Sequence, residues 1–242
     1  MTLYLVTAES ADTLALHRPK LILPIGSGGA GKSFWSRWFI ERAAKRGAPL
    51  DVYDADPLSP ARAPLPRHAD RFDHAPRFGL DHQNWLEKKI TTSAESRRSL
   101  ILDPGPMLFG LIEWFAHTPV ALAAEELGLD FVAVYLLVPD PDSLPRLPYF
   151  LDLIKAPCTV IVLNEWRTGA DESASAFADI IADPRIAAAR ADGARIITMP
   201  HLPPPNRLDA LRAHKPRRHN PALSEWLDRM EDNFAPVAAW FD

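Results

Sequence analysis

Residues 26–33 read Gly26-Ser27-Gly28-Gly29-Ala30-Gly31-Lys32-Ser33. The stretch fits G-x-x-x-x-G-K-[ST] at every fixed position. Its flanks agree with it. Lys20-Leu21-Ile22-Leu23-Pro24-Ile25 reads as a buried strand running into the loop, and Ser33-Phe34-Trp35-Ser36-Arg37-Trp38-Phe39-Ile40 as the helix leaving it. Strand, glycine-rich loop and helix in this order is the setting the motif requires. The chemistry follows from the residue types. Gly26, Gly28, Gly29, Ala30 and Gly31 let backbone N–H groups curl around a polyphosphate, and the helix N-terminus adds its dipole. Lys32 is then placed to reach the β- and γ-phosphates, and the Ser33 hydroxyl to ligate Mg²⁺. A chance glycine-rich turn would explain the loop but not its flanks.

Outward from the loop, apolar runs alternate with helical patterns. Strands are expected at 50–54, 99–103, 131–138, 158–163 and 195–199. Helices are expected over 80–95, 106–127 (one or two), 142–155 and 170–192, and again after Pro200. Residues 57–77, rich in Pro, Arg and His, read as one long loop. Near-continuous apolar strands, each followed by a helix, indicate a sheet covered on both faces. The expected class is α/β: a doubly wound, mostly parallel sheet of P-loop NTPase type. It reads as a single domain over 1–242, with a core over 20–200 and a helical extension over 203–242. Ligands of such sheets bind outside the carboxyl ends of the strands. Gly26, Asp54, Asp103 and Asn164 all fall there.

Composition narrows the classes. With 242 residues, 47% hydrophobic and 24% charged, the chain has the balance of an ordinary globular protein. A net charge of −4 supplies no global attraction to nucleic acid or membrane. No run reaches the ~18 apolar residues of a membrane helix, and the first residues lack a basic n-region. A cytoplasmic location is expected. The one cysteine, Cys158, lies in an apolar run and reads as a small core residue.

Asp103 ends the run Leu100-Ile101-Leu102 and precedes Pro104-Gly105-Pro106. A carboxylate held there by its strand suits Mg²⁺ support of the Walker B kind; capping of the next helix is the simpler alternative. Asp54-Ala55-Asp56 places two acids at the mouth of the same site, suited to metal contact and to orienting an attacking water; a turn pair is the simpler alternative. Asn164 follows Val160-Ile161-Val162-Leu163. Its amide offers a donor and an acceptor that match the N6/N7 edge of adenine, or cap a turn.

Together Gly28-Gly29-Ala30-Gly31-Lys32-Ser33, Asp54-Ala55-Asp56-Pro57, Leu102-Asp103-Pro104-Gly105, Val138-Pro139-Asp140-Pro141-Asp142-Ser143-Leu144 and Val162-Leu163-Asn164 form an ordered series. It resembles the ParA/MinD family of P-loop ATPases over residues 20–200, and within it the TraL/MobD-type proteins of plasmid conjugation and mobilisation. The resemblance implies ATP and Mg²⁺ as cofactors and slow hydrolysis driving a nucleotide switch in plasmid transfer, mobilisation or partition. It implies phosphate contact by Lys32, Mg²⁺ binding by Ser33, support of that metal by Asp103 and, from behind its direct ligands, by Asp54, orientation of the hydrolytic water by Asp56, and adenine contact by Asn164. The segments after Asp56 and Asp103 would answer to nucleotide as switches. It also implies a nucleotide-dependent homodimer. One position departs: where the family carries a second lysine before the Gly-Gly pair, this chain has Ser27. An arginine among Arg62, Arg67, Arg71 and Arg77 is a candidate replacement acting in trans; solvated loop arginines are the simpler reading.

Two other classes stay open. A small-molecule kinase or ligase would use Asp54 or Asp56 as base under a lid formed by 62–77. A nucleotide-binding adaptor without turnover would fit Ser27. Arg207, Arg212, Lys215, Arg217 and Arg218 form a basic cluster able to hold DNA phosphates, or simply a solvated loop. The segment 222–234 is amphipathic but acidic, unlike a membrane anchor, and is expected to pack on protein. Most aromatics of the P-loop helix are expected in the core.

Overall fold

The structure is a computed structural model that describes residues 18–56, 71–76, 80–104, 109–140, 143–168, 173–202 and 221–242. Seven strands form one sheet: β1 (Lys20–Ile25), β2 (Leu50–Asp54), β3 (Arg71–His74), β4 (Ser99–Asp103), β5 (Asp130–Leu137), β6 (Cys158–Asn164) and β7 (Arg195–Met199). Their order is β3-β2-β4-β1-β5-β6-β7, and every pairing is parallel. Strand order reverses direction at β1, so the P-loop leaves the sheet at its centre, where doubly wound sheets bind ligands.

Alternation along each strand sends residues to two separate apolar layers, which is why the strands are apolar throughout. Ile22, Val52, Ile101, Val132, Val160 and Ile197 face one layer. It is closed by α1 (Lys32–Lys45) and by α9 (Pro221–Phe234) with the 3-10 turns Ala235–Trp240. Leu21, Leu23, Leu100, Phe131, Tyr135 and Ile161 face the other. Leu86 and Ile90 of α2 (Leu80–Glu95), Trp114 of α3 (Phe109–His117), Ala124 of α4 (Val120–Glu126) and Phe150 of α5 (Leu147–Ile154) cover it. The series α6 (Ser173–Ala176), α7 (Ala178–Ala182) and α8 (Pro184–Ala191) completes the chain between β6 and β7.

Three expectations need correction. The loop expected over 57–77 contains β3, which pairs with β2 at the sheet edge. Arg71-Phe72-Asp73-His74 has too little apolar character to announce a strand, but an edge position tolerates polar residues. The helix expected from 142 begins at Leu147 with proline in its first turn, as proline's fixed φ favours. The Ala-rich stretch 170–192 is broken: Asp183 ends α7, and its side chain accepts from the Arg185 N–H at 2.9 Å to start α8. Cys158 is half-buried at the start of β6, and burial pushes its thiol up from the ordinary value.

The P-loop helix is anchored as expected. Trp35, Trp38 and Phe39 are buried, and Phe34 meets Trp226 edge-on at 5.1 Å. Phe234 packs edge-on against Trp38 at 5.0 Å, with the Arg42 guanidinium 4.6 Å from its ring centre. Arg42 also binds Glu231 at 3.0 Å and Asp242 at 2.9 Å. Thus α9 seals the outer side of the helix that carries Lys32. At the opposite, amino end of the strands, buried Asp51 accepts from Arg98 at 2.6 Å and Ser93 at 2.7 Å, so its charge is spent on structure. Among the described residues no helix is long and apolar enough to cross a membrane. Phe234→Ala should cost about 3–5 kcal/mol through the cavity it leaves, read as a lower urea midpoint; an unchanged midpoint would mean that α9 does not hold α1.

Candidate functional site

The loop after β1 turns into α1 through Gly31, whose φ of +97° is left-handed. A side chain here would be strained, and a Cβ would collide with the Asn164 amide nitrogen. A Cβ on Gly26 would stand 2.7 Å from the Leu136 carbonyl oxygen. The loop is thus wedged between β5 and β6 where only glycine fits. Gly28 and Gly29 form its exposed tip, while Ala30 is buried. No side chain caps α1, and no acid lies in its first turn. Its N-terminus is therefore left for an anion.

Lys32 folds back over the loop. Its Nζ donates to the carbonyls of Gly26 at 2.7 Å and Ser27 at 3.1 Å. Burial pulls its ammonium below the ordinary lysine value, while Asp103 and Asp56 pull it partly back. Ser33, one residue on, is exposed.

The register of β2 and β4 sets Asp54 directly beside Asp103. The Ala55 N–H donates to the Asp103 carbonyl at 2.8 Å, and the Asp56 N–H to Asp54 Oδ1 at 3.1 Å. Asp54, Asp56 and Asp103 are 3%, 5% and 3% exposed. Buried carboxylates require compensating positive charge or hydrogen bonds. Against the pull of burial, the charges of Asp103 and Asp56 favour the Lys32 ammonium, and that of Asp103 the Arg37 guanidinium. Ser33, Asp103 and Asp54 supply the hard oxygen donors that Mg²⁺ takes, but among the described residues no three acids or histidines are grouped closely enough to hold a metal ion by themselves.

Asn164 lies at the carboxyl end of β6, 1% exposed. Its Nδ2 donates to the Ala30 carbonyl at 2.8 Å, and its Oδ1 accepts from the Trp166 N–H at 3.1 Å. The amide that sequence alone offers to adenine is, in this geometry, engaged in tying the P-loop to β6 and capping the 3-10 turn Glu165–Arg167. The same turn is held to the segment after β7: the His201 N–H donates to Glu165 Oε2 at 3.2 Å.

Two neighbours escape sequence reading. His74 ends β3 beside Asp54, with Nδ1 3.5 Å from Asp54 Oδ2. No signal pointed to it, because the strand that places it was not legible. Arg37 follows Ser33 by four residues, and helical spacing alone puts the two on one face. Of the candidate arginines, Arg71 is paired in register with Asp51, at the amino end of the strands. That lies about 10 Å along the strand from the site edge. Arg62, Arg67 and Arg77, the basic cluster 207–218, and the segments following Asp56 and Pro104 lie outside the described residues.

No protein-family model matches the sequence, and no curated protein matches it. Solved structures do. The signal recognition particle receptor FtsY from Elizabethkingia anophelis aligns at 12% identity with a TM-score of 0.55, covering 91% of this chain and 70% of that one. The cell division protein FtsY from Thermotoga maritima aligns at 14% identity and TM-score 0.51, covering 85% and 77%. The chloroplast FtsY from Physcomitrella patens aligns at 15% identity and TM-score 0.51, covering 80% and 65%. This chain therefore spans just under two thirds of the last.

The chain has the P-loop NTPase fold. At such identities the likeness extends to the fold alone. Within that P-loop fold, Asn164→Ala would leave the Ala30 carbonyl and the Trp166 N–H without their side-chain partner. A loss of about 1–3 kcal/mol is expected in chemical denaturation, and a stability within error of native would show that this tie does not hold the loop.

Proposed function

We propose that this protein is a Mg²⁺-dependent ATP-binding protein and a slow ATPase, working as a nucleotide switch in plasmid transfer, mobilisation or partition. The observation that carries the nucleotide reading is the Lys32 ammonium lying over the Gly26 and Ser27 carbonyls, next to the register-matched acids Asp54 and Asp103. The choice of ATP and the plasmid role rest on the motif series that resembles the ParA/MinD and TraL/MobD-type proteins. The P-loop fold is consistent with both.

In this reading Lys32 exchanges its two carbonyl partners for phosphate oxygens, and burial strengthens the new contact. The N-terminal N–H groups of α1 meet the phosphates. Ser33 would hold Mg²⁺ with the support of Asp103 and, further out, Asp54, and the ion would neutralise charge on the phosphates. Asp56, at the mouth of the site, orients the attacking water. Its backbone N–H on Asp54 Oδ1 fixes the two acids relative to one another. Ser27 contributes no positive charge, so turnover is slow unless a partner or a second copy supplies a cation. Binding of a second copy, or of DNA through 207–218, belongs to the same proposal.

Lys32→Ala should abolish ATP binding and phosphate release. Asp56→Ala should keep ATP binding and lower phosphate release by about 100-fold or more. Binding without turnover in the native protein would favour the adaptor reading, and phosphate passing to an added acceptor rather than to water would favour the kinase reading. GTP competing better than ATP would overturn the assignment of the base.

A further inference from the structure

The amino edge of the sheet, remote from the P-loop, holds a cavity of about 290 Å³ that the nucleotide reading does not use. Four arginines line it, Arg18, Arg42, Arg46 and Arg97, against a single acid, Asp242. Phe39, Leu50 and Phe241 supply an apolar wall. Like charges gathered around one space repel unless an anion answers them. Asp242 shows the form of the answer: its carboxylate spans two of the arginines, Oδ1 accepting from Arg42 at 2.9 Å and Oδ2 from Arg46 at 3.0 Å. Arg42 is 4% exposed and also donates to Glu231 at 3.0 Å. Arg18 donates to the Gly128 and Glu125 carbonyls and lies 3.6 Å from Asp130. Arg97 differs. Among the described residues its guanidinium has no hydrogen-bond or ion-pair partner. Its backbone is left-handed, with φ +52°, two residues past the end of α2. Glycine is the ordinary residue there, and Gly47, Gly128 and Gly193 hold the same place after α1, α4 and α8. Lys155 is the other non-glycine residue with a left-handed φ among the described residues. An arginine thus stands at the cavity despite a conformational cost that glycine would not carry.

We propose that this cavity is a second ligand site, which takes a small molecule carrying a phosphate monoester on an apolar body. Arginine forks match phosphate oxygens in pairs. A phosphate monoester brings a charge near −2 and three acceptor oxygens, where Asp242 brings one charge and two oxygens. The phosphate accepts from the exposed guanidinium of Arg97 and from the half-exposed one of Arg46, and the apolar body lies on Phe39 and Phe241. Asp242 is a built-in competitor, because its carboxylate occupies Arg46 until the phosphate takes that arginine from it. The site is distinct from the P-loop: Arg42 follows Lys32 by ten residues on α1, about 15 Å along the helix. The proposal does not depend on what the P-loop binds.

The test is isothermal titration of the full chain with phenyl phosphate and with inorganic phosphate, for native protein and for Lys32→Ala, each with and without Arg97→Gly or Asp242→Asn. Lys32→Ala disables phosphate binding at the P-loop and should leave one phenyl phosphate bound. Arg97→Gly removes the charge and relieves the left-handed backbone, so the fold is kept while the affinity of that phenyl phosphate should fall roughly ten-fold. Asp242→Asn removes the competing charge and should raise it roughly three- to ten-fold. Inorganic phosphate, which has no body to lay on the apolar wall, should bind this site more weakly than its phenyl ester. Loss of all phenyl phosphate binding in Lys32→Ala would place the ligand on the P-loop and overturn the proposal. An affinity unchanged by Arg97→Gly, or inorganic phosphate bound as tightly as the ester, would overturn it equally.

Discussion

The parallel pairing of β2 with β4 is the constraint on which the candidate site depends. It sets Asp54 beside Asp103 at one level of the sheet, and the next pairing, β4 with β1, brings that level to the root of the P-loop. Side-chain alternation leaves no freedom here: a slip of one residue in either strand would turn that strand's acid to the opposite face of the sheet. The apolar residues before each acid therefore do two jobs. They bury the strand, and they fix the height at which the chain emerges as polar.

Burial then decides the electrostatics. Three acids that are nearly inaccessible to water would repel one another strongly in a low-dielectric setting. Lys32 and Arg37, both on α1 and both buried, make their burial tolerable. The helix that brings these cations is in turn clamped from outside by the aromatic contacts of Trp38 and Phe39 with Phe234 and Phe241. The helix Pro221–Phe234 thus bears on the site through α1, and also through β7 and the residue that follows it, where Asn233 Nδ2 donates to the Thr198 carbonyl and Trp226 Nε1 to the Pro200 carbonyl, each at 2.8 Å. Asn164 performs the matching task on the loop side, where its amide fixes the Ala30 carbonyl.

The sequence made legible whatever depends on local pattern. The P-loop, the central strands and the acids at their ends were readable because apolar runs ending in a charged residue have few other meanings. What depends on tertiary pairing was not. β3 carries the single apolar residue Phe72 and is a strand only because β2 offers it an edge; with it went His74 and the placement of Arg71. The engagement of the Asn164 amide by Ala30 joins residues far apart in the chain, and no spacing rule reaches that distance. Arg37 lies between these cases. Its helical distance from Ser33 was there to be read, but its burial was not, because which face of α1 meets the sheet depends on tertiary packing.

The central claim is that polyphosphate and Mg²⁺ meet the backbone of 26–33 at the carboxyl edge of the sheet. Amide hydrogen exchange with and without ATP and Mg²⁺ tests it directly. Nucleotide should slow exchange chiefly in the loop and first turn of α1, extending to the residues that follow β2 and β4. Unchanged exchange at 26–36 under saturating nucleotide, or protection only at a distant surface, would contradict it.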